Sequence, residues 1–84
     1  MTTIQIKTQL EAVIPESTIM VQGDDGVHFD AIVVAHQFDG LSKVKRQQMV
    51  YQALNAFILD GSLHAIALKT YTPAEWATKG SAEL

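Results

Sequence analysis

Three histidines, His28, His36 and His64, are the side chains of this 84-residue chain best suited to proton transfer near neutral pH and to metal ligation. The chain has no cysteine. That excludes disulfides, thiolate zinc sites, a self-contained all-cysteine cluster and a cysteine nucleophile. His64 lies in Leu63-His64-Ala65-Ile66, directly after the turn signal Asp60-Gly61-Ser62. Taken alone, it reads as a residue that caps the turn through one ring nitrogen. His28 follows Gly23-Asp24-Asp25-Gly26 and reads as an exposed strand-end residue; His36 reads as surface. Two imidazoles make an incomplete metal site, which needs further ligands from a partner.

Other chemistries lack their signatures. There is no G-x-x-x-x-G-K-[ST] or G-x-G-x-x-G, and none of Ser17, Ser42, Ser62 and Ser81 sits in G-x-S-x-G, so no enzyme is expected. Asp24, Asp25 and Asp30 read as turn chemistry and a solvated edge. Lys43, Lys45 and Arg46, joined by Lys69, are candidates for a basic patch that meets phosphate. Two features oppose that reading. The net charge is −3, and the connector Asp39-Gly40-Leu41-Ser42 stands where a KH module would carry G-x-x-G.

These residues must be placed by a small fold. With 48% hydrophobic and 18% charged residues, the chain suits one domain, residues 1–84, with 1–2 and 79–84 expected to fray. Ile6, Leu10, Val13 and Ile14 predict a helix over 3–14, capped by Thr2 or Thr3 and stopped by Pro15. Ser17–Gln22 and Val27–Ala35 predict an antiparallel hairpin about the Gly23–Gly26 turn. Ser42 caps a second helix over 43–59, striped by Val50, Leu54, Phe57 and Ile58 with Tyr51 beside it; its polar first turns allow a bend or a separate short helix there. Leu63–Tyr71 is a third strand, parallel to the second by a crossover. Thr72-Pro73-Ala74-Glu75 is a capping box opening a last helix that Trp76 is expected to pin to the core. The order α-β-β-α-β-α predicts an α+β sandwich, a three-stranded mixed sheet covered by helices on one face. The longest apolar run, Ala31–Ala35, is far short of a membrane span, and Met1-Thr2-Thr3 does not resemble a signal peptide. The lack of cysteine suits a reducing, cytoplasmic setting.

Four ordered motifs carry a family resemblance. They are Phe38-Asp39-Gly40-Leu41-Ser42, Val50-Tyr51-Gln52-Ala53-Leu54, Leu63-His64-Ala65-Ile66 and Tyr71-Thr72-Pro73-Ala74-Glu75-Trp76. Together they resemble the BolA family over residues 3–78, and Val44-Lys45-Arg46-Gln47-Gln48 resembles a bacterial branch of it. The resemblance implies a class II KH-like fold and a partner of monothiol glutaredoxins in iron–sulfur trafficking, iron homeostasis or stress responses. It implies His64 as one ligand of a shared [2Fe–2S] cluster and His28, matching the hairpin ligand, as the second. The glutaredoxin would supply its cysteine and a bound glutathione thiol. The cluster would then be heteromeric, with no cofactor in the isolated chain. Imidazole suits iron, and ligation needs its neutral form, so acid opposes it. The partner surface is expected at the start of the last strand (Leu63, Ala65), the hairpin and the adjoining helix (Lys43, Lys45, Arg46). Some members of the family are transcriptional regulators, so a KH-like nucleic-acid-binding function is the alternative. Against it, the usual Arg-His-Arg ahead of the valine is Arg46-Gln47-Gln48 here, and His36 matches no family ligand.

Overall fold

The computed structural model describes residues 1–23 and 25–80. Helix α1 spans Thr3–Val13. Strands β1 (Thr18–Gln22) and β2 (His28–Val34) form the hairpin, and a 3₁₀ turn follows at His36–Phe38. Helices α2 (Lys43–Ala53) and α3 (Asn55–Leu59) lead to β3 (Ala65–Tyr71). The short α4 (Pro73–Glu75) runs into a π-helical turn, Trp76–Gly80. The sheet order is β1-β2-β3, with β2 antiparallel to β1 and parallel to β3. This is the mixed three-stranded α+β arrangement that the sequence predicts.

Alternation along β2 decides which face is covered. Phe29, Ala31 and Val33 are buried, while His28 and Asp30 are exposed. Ile6, Leu10 and Ile14 of the first helix and Val50, Ala53 and Leu54 of the second join Phe29 and Val33 in the core. Val13, expected in the same stripe, is instead exposed. Met1 packs against the core, and Thr2 forms a capping box with Gln5. Of the tail expected to fray, residues 79–80 close the π-helical turn and 81–84 lie outside the described residues.

The predicted 43–59 helix is broken at Leu54, not in its polar first turns. There the backbone turns to φ −101° and ψ 5°. Phe57 N–H bonds back to Leu54 O at 3.0 Å, which leaves Ala53 O without its usual helical donor. Gln9 Nε2 takes that carbonyl at 3.1 Å, so the break is satisfied by the first helix. Gly61, at φ 80°, ends α3 in a left-handed turn.

The last helical segment departs from the one-faced sandwich. Thr72 and Glu75 form the predicted capping box. Trp76, however, is only half-buried. It stacks against Tyr71 with ring centroids 5.4 Å apart and borders a concavity on the open sheet face with Met20, Gln22, Asp30, Ile32 and Lys69. The reason is alternation: Tyr71 pairs with Val34, on the face opposite Phe29 and Val33. A tryptophan stacked on Tyr71 therefore lies outside the helix-covered core.

Candidate functional site

The site is built at one end of the sheet, where β2 and β3 both begin. His28 is the first residue of β2 and pairs in register with Ala65, the first residue of β3. His64 immediately precedes Ala65, the register partner of His28. Both side chains are exposed. His64 precedes the strand and borders a depression of about 410 Å³ with Tyr51, Ile58, Leu63, Ala65 and Ile66. His36 sits beyond the far end of β2, ~20 Å along the strand, with its Nε2 3.9 Å from Glu16. The structure thus puts His28 and His64 at the same end of the sheet and His36 at the other.

The two rings are held differently. His28, at the start of β2, is tied to the turn before it. Asp25 Oδ1 accepts the backbone N–H groups of Val27 at 2.9 Å and His28 at 2.8 Å, and Asp25 Oδ2 lies 2.9 Å from His28 Nδ1. The ring bond to His28, then the two backbone donors, hold the Asp25 carboxyl well below the usual carboxylate range. His64, by contrast, does not cap its turn. Asp60 Oδ1 accepts Ser62 N–H at 2.8 Å, and Leu63 N–H bonds to Phe57 O at 3.0 Å. Among the described residues, no hydrogen bond engages the His64 ring.

Two expected partner contacts are corrected. Leu63 is 3% exposed and belongs to the core. Arg46 is 7% exposed. Its Nε donates to Leu41 O at 3.0 Å, and its Nη1 and Nη2 reach the Glu75 carboxylate at 2.6 and 3.3 Å. The guanidinium also lies 5.9 Å from the Phe38 ring centroid. Arg46 therefore ties α2 to α4 and is not a free cation. The Arg46 guanidinium and Thr72 N–H pull the Glu75 carboxyl down to about 2.

The proposed basic patch does not assemble. Lys43 and Lys45 are exposed on α2, on the helix-covered side of the sheet. Lys69 pairs with Ile32 and borders the concavity on the opposite face. Ala65, next to His64 in the chain, is exposed in the register of His28. Asp30 is exposed, as expected, and Asp24 lies outside the described residues. The residue the sequence reading passed over is Asp25, taken there as turn chemistry only. Its signal was Asp-Gly-Val-His: an aspartate at a turn accepts N–H groups two and three residues on, and here the second of those belongs to a histidine.

No three His, Asp or Glu side chains among the described residues could hold a metal together. No helix among them is long and apolar enough to cross a membrane. The chain matches the BolA-like protein family model over residues 3–75. It is 45% identical over 73 residues to the acid stress protein IbaG of Escherichia coli K12, covering 87% of this chain and 86% of that one. A shorter match, 45% over 49 residues, links it to the DNA-binding transcriptional regulator BolA of Haemophilus influenzae, covering 58% of this chain and 47% of the relative. The structure of a BolA homologue from Coxiella burnetii superimposes with a TM-score of 0.80 at 38% identity, covering 92% of this chain and 97% of that one. By its sequence, its sheet order and its structural neighbours, the chain belongs to the BolA family.

Proposed function

We infer that this chain is a non-enzymatic adaptor that shares a [2Fe–2S] cluster with a monothiol glutaredoxin, the cluster being cargo. The observation that carries the reading is that two exposed imidazoles, His28 opening β2 and His64 just before β3, stand at the same end of the sheet. Their donor set fits the group: imidazole suits iron. The chain offers no thiol, so the remaining ligands come from the glutaredoxin cysteine and glutathione. When bound, the cluster supplies electron-transfer and iron–sulfur transfer chemistry. His28 and His64 would hold it. The depression beside His64, with Tyr51 and Ile58 each about 40% exposed, offers an apolar contact next to the ligands. The name of the Escherichia coli relative supports a place in acid stress.

The DNA-binding name of the Haemophilus influenzae relative is not carried over, because Arg46 is committed to Glu75 and Lys69 faces away from Lys43 and Lys45. Weak association through the two exposed lysines is expected to vanish as salt rises.

The test is reconstitution with a monothiol glutaredoxin and glutathione, followed by visible circular dichroism and electron paramagnetic resonance. His64→Ala is expected to abolish histidine-type ligation. His28→Ala is expected to loosen it or leave a substitute ligand, and His36→Ala to change little. A His64→Ala mixture with the parent spectrum and cluster lifetime overturns the assignment.

A further inference from the structure

Asp25 holds no cluster in the reading above, yet its carboxylate is engaged by three donors around His28. Oδ1 accepts Val27 N–H and His28 N–H, and Oδ2 meets His28 Nδ1 at 2.9 Å. The two backbone bonds fix the carboxylate, so the ring must come to Oδ2. An ionised carboxylate has no proton to give. At pH 8 an aspartate side chain is ionised. Nδ1 must therefore carry the proton, and the lone pair is left on Nε2. A free imidazole in water prefers the opposite tautomer.

We propose that Asp25 is the positioning residue of the site: it fixes His28 in the Nδ1–H form and leaves Nε2 as the nitrogen that ligates metal. The proposal rests on the cluster-sharing reading and names the residue that prepares one ligand for it. A histidine that ligates metal through one nitrogen and donates the other N–H to a carboxylate is a recurrent pairing; it fixes both tautomer and ring orientation. The pair is exposed, at 74% for the His28 side chain and 50% for that of Asp25, so its value lies in orientation and not in fold stability.

The discriminating variant is Asp25→Asn. Asparagine suits the turn, and its Oδ1 can keep both backbone bonds. Its Nδ2 then replaces Oδ2 with a donor. Facing that donor, His28 Nδ1 must accept, and the ring proton moves to Nε2, the ligating nitrogen. Long-range ¹H–¹⁵N spectra of the isolated protein at pH 8 read the tautomers directly, with His36 and His64 as internal references. The expected result is Nδ1–H at His28 in the parent, Nε2–H in Asp25→Asn, and unchanged tautomers at His36 and His64. The melting temperature should not move. In the glutaredoxin–glutathione mixture, the variant should lose its [2Fe–2S] cluster about 10–100-fold faster.

Nε2–H at His28 in the parent overturns the proposal. So does a tautomer that ignores the substitution, or an unchanged rate of cluster loss despite the switch. A parent mixture that shows no histidine nitrogen coupling overturns the proposed function instead. The tautomer spectra need no partner and still decide whether Asp25 governs the ring.

Discussion

Replacing Gly23 by alanine tests whether the hairpin that presents His28 is closed by contact. A Cβ at residue 23 would stand 2.6 Å from Phe29 Cδ1 and 2.7 Å from His28 O. Neither neighbour gives way easily. Phe29 is 3% exposed in the core, and the His28 oxygen is backbone at the start of a paired strand. Overpacking of this kind costs about 1–3 kcal/mol, and the stiffer unfolded chain returns about 0.4–1 kcal/mol. The net loss is about 1–2 kcal/mol, which for a chain of this size lowers the melting temperature by about 5–11 °C. The strain falls at the hairpin end, so His28 and Val27 amide resonances should shift while those of α1 stay in place. Thermal unfolding followed by circular dichroism, with amide spectra of both proteins, gives both readouts. A Gly23→Ala protein that melts with the parent and leaves the Phe29 ring resonances unmoved would refute the argument.

Trp76→Ala should cost about 1.5–2.5 kcal/mol by urea unfolding, roughly half the loss for a fully buried tryptophan, because Trp76 is half-buried on the open sheet face. Leu63→Ala, at 3% exposure in the core, should cost about 2–5 kcal/mol in the same assay. The Glu75 carboxyl is pulled down to about 2, against ~4.3 in an unfolded chain, so its contribution is whole above that unfolded value and drains away as pH falls through about 2. The urea midpoints of parent and Glu75→Gln should therefore differ by a constant amount above pH 5 and converge toward pH 2; convergence already at pH 5 would refute the assignment.

What was legible in the sequence was local. Thr2, Ser42 and Thr72 each sit where a cap belongs, and each accepts the N–H three residues on. The β1–β2 hairpin is equally local and agrees with the sequence, as do Ile6, Leu10 and Ile14 of the first stripe, whereas Val13, expected with them, is exposed. What escaped depended on residues far apart in the chain. Arg46 reads as one more polar residue in a polar first turn, and nothing near it announces Glu75, 29 positions away. The break at Leu54 is stabilised by Gln9, from a different helix, so no window around residue 54 contains its cause. Trp76 was assigned to the core because a large aromatic residue usually belongs there; its true face follows from the parity of Tyr71 in the sheet register. The site fell between these cases. The family motifs single out His28 and His64, but their place at one end of the sheet is a property of the parallel pairing of β2 with β3.

That pairing also separates what holds the fold from what the site does. Both strands begin at the histidine end and finish at Val34 and Tyr71, and the chain turns there into α4. The Arg46–Glu75 latch thus lies a full strand, ~20 Å, from His28. Groups so far apart, with no shared partner, contribute nearly additively. The latch can be weakened without disturbing the tautomer of His28, and Asp25 can be altered without loosening α4. A double variant, Asp25→Asn with Glu75→Gln, should show the unfolding midpoint of Glu75→Gln and the His28 tautomer of Asp25→Asn. Any strong coupling between the two readouts would mean that the sheet transmits strain from one end to the other, contrary to the separation that the register implies.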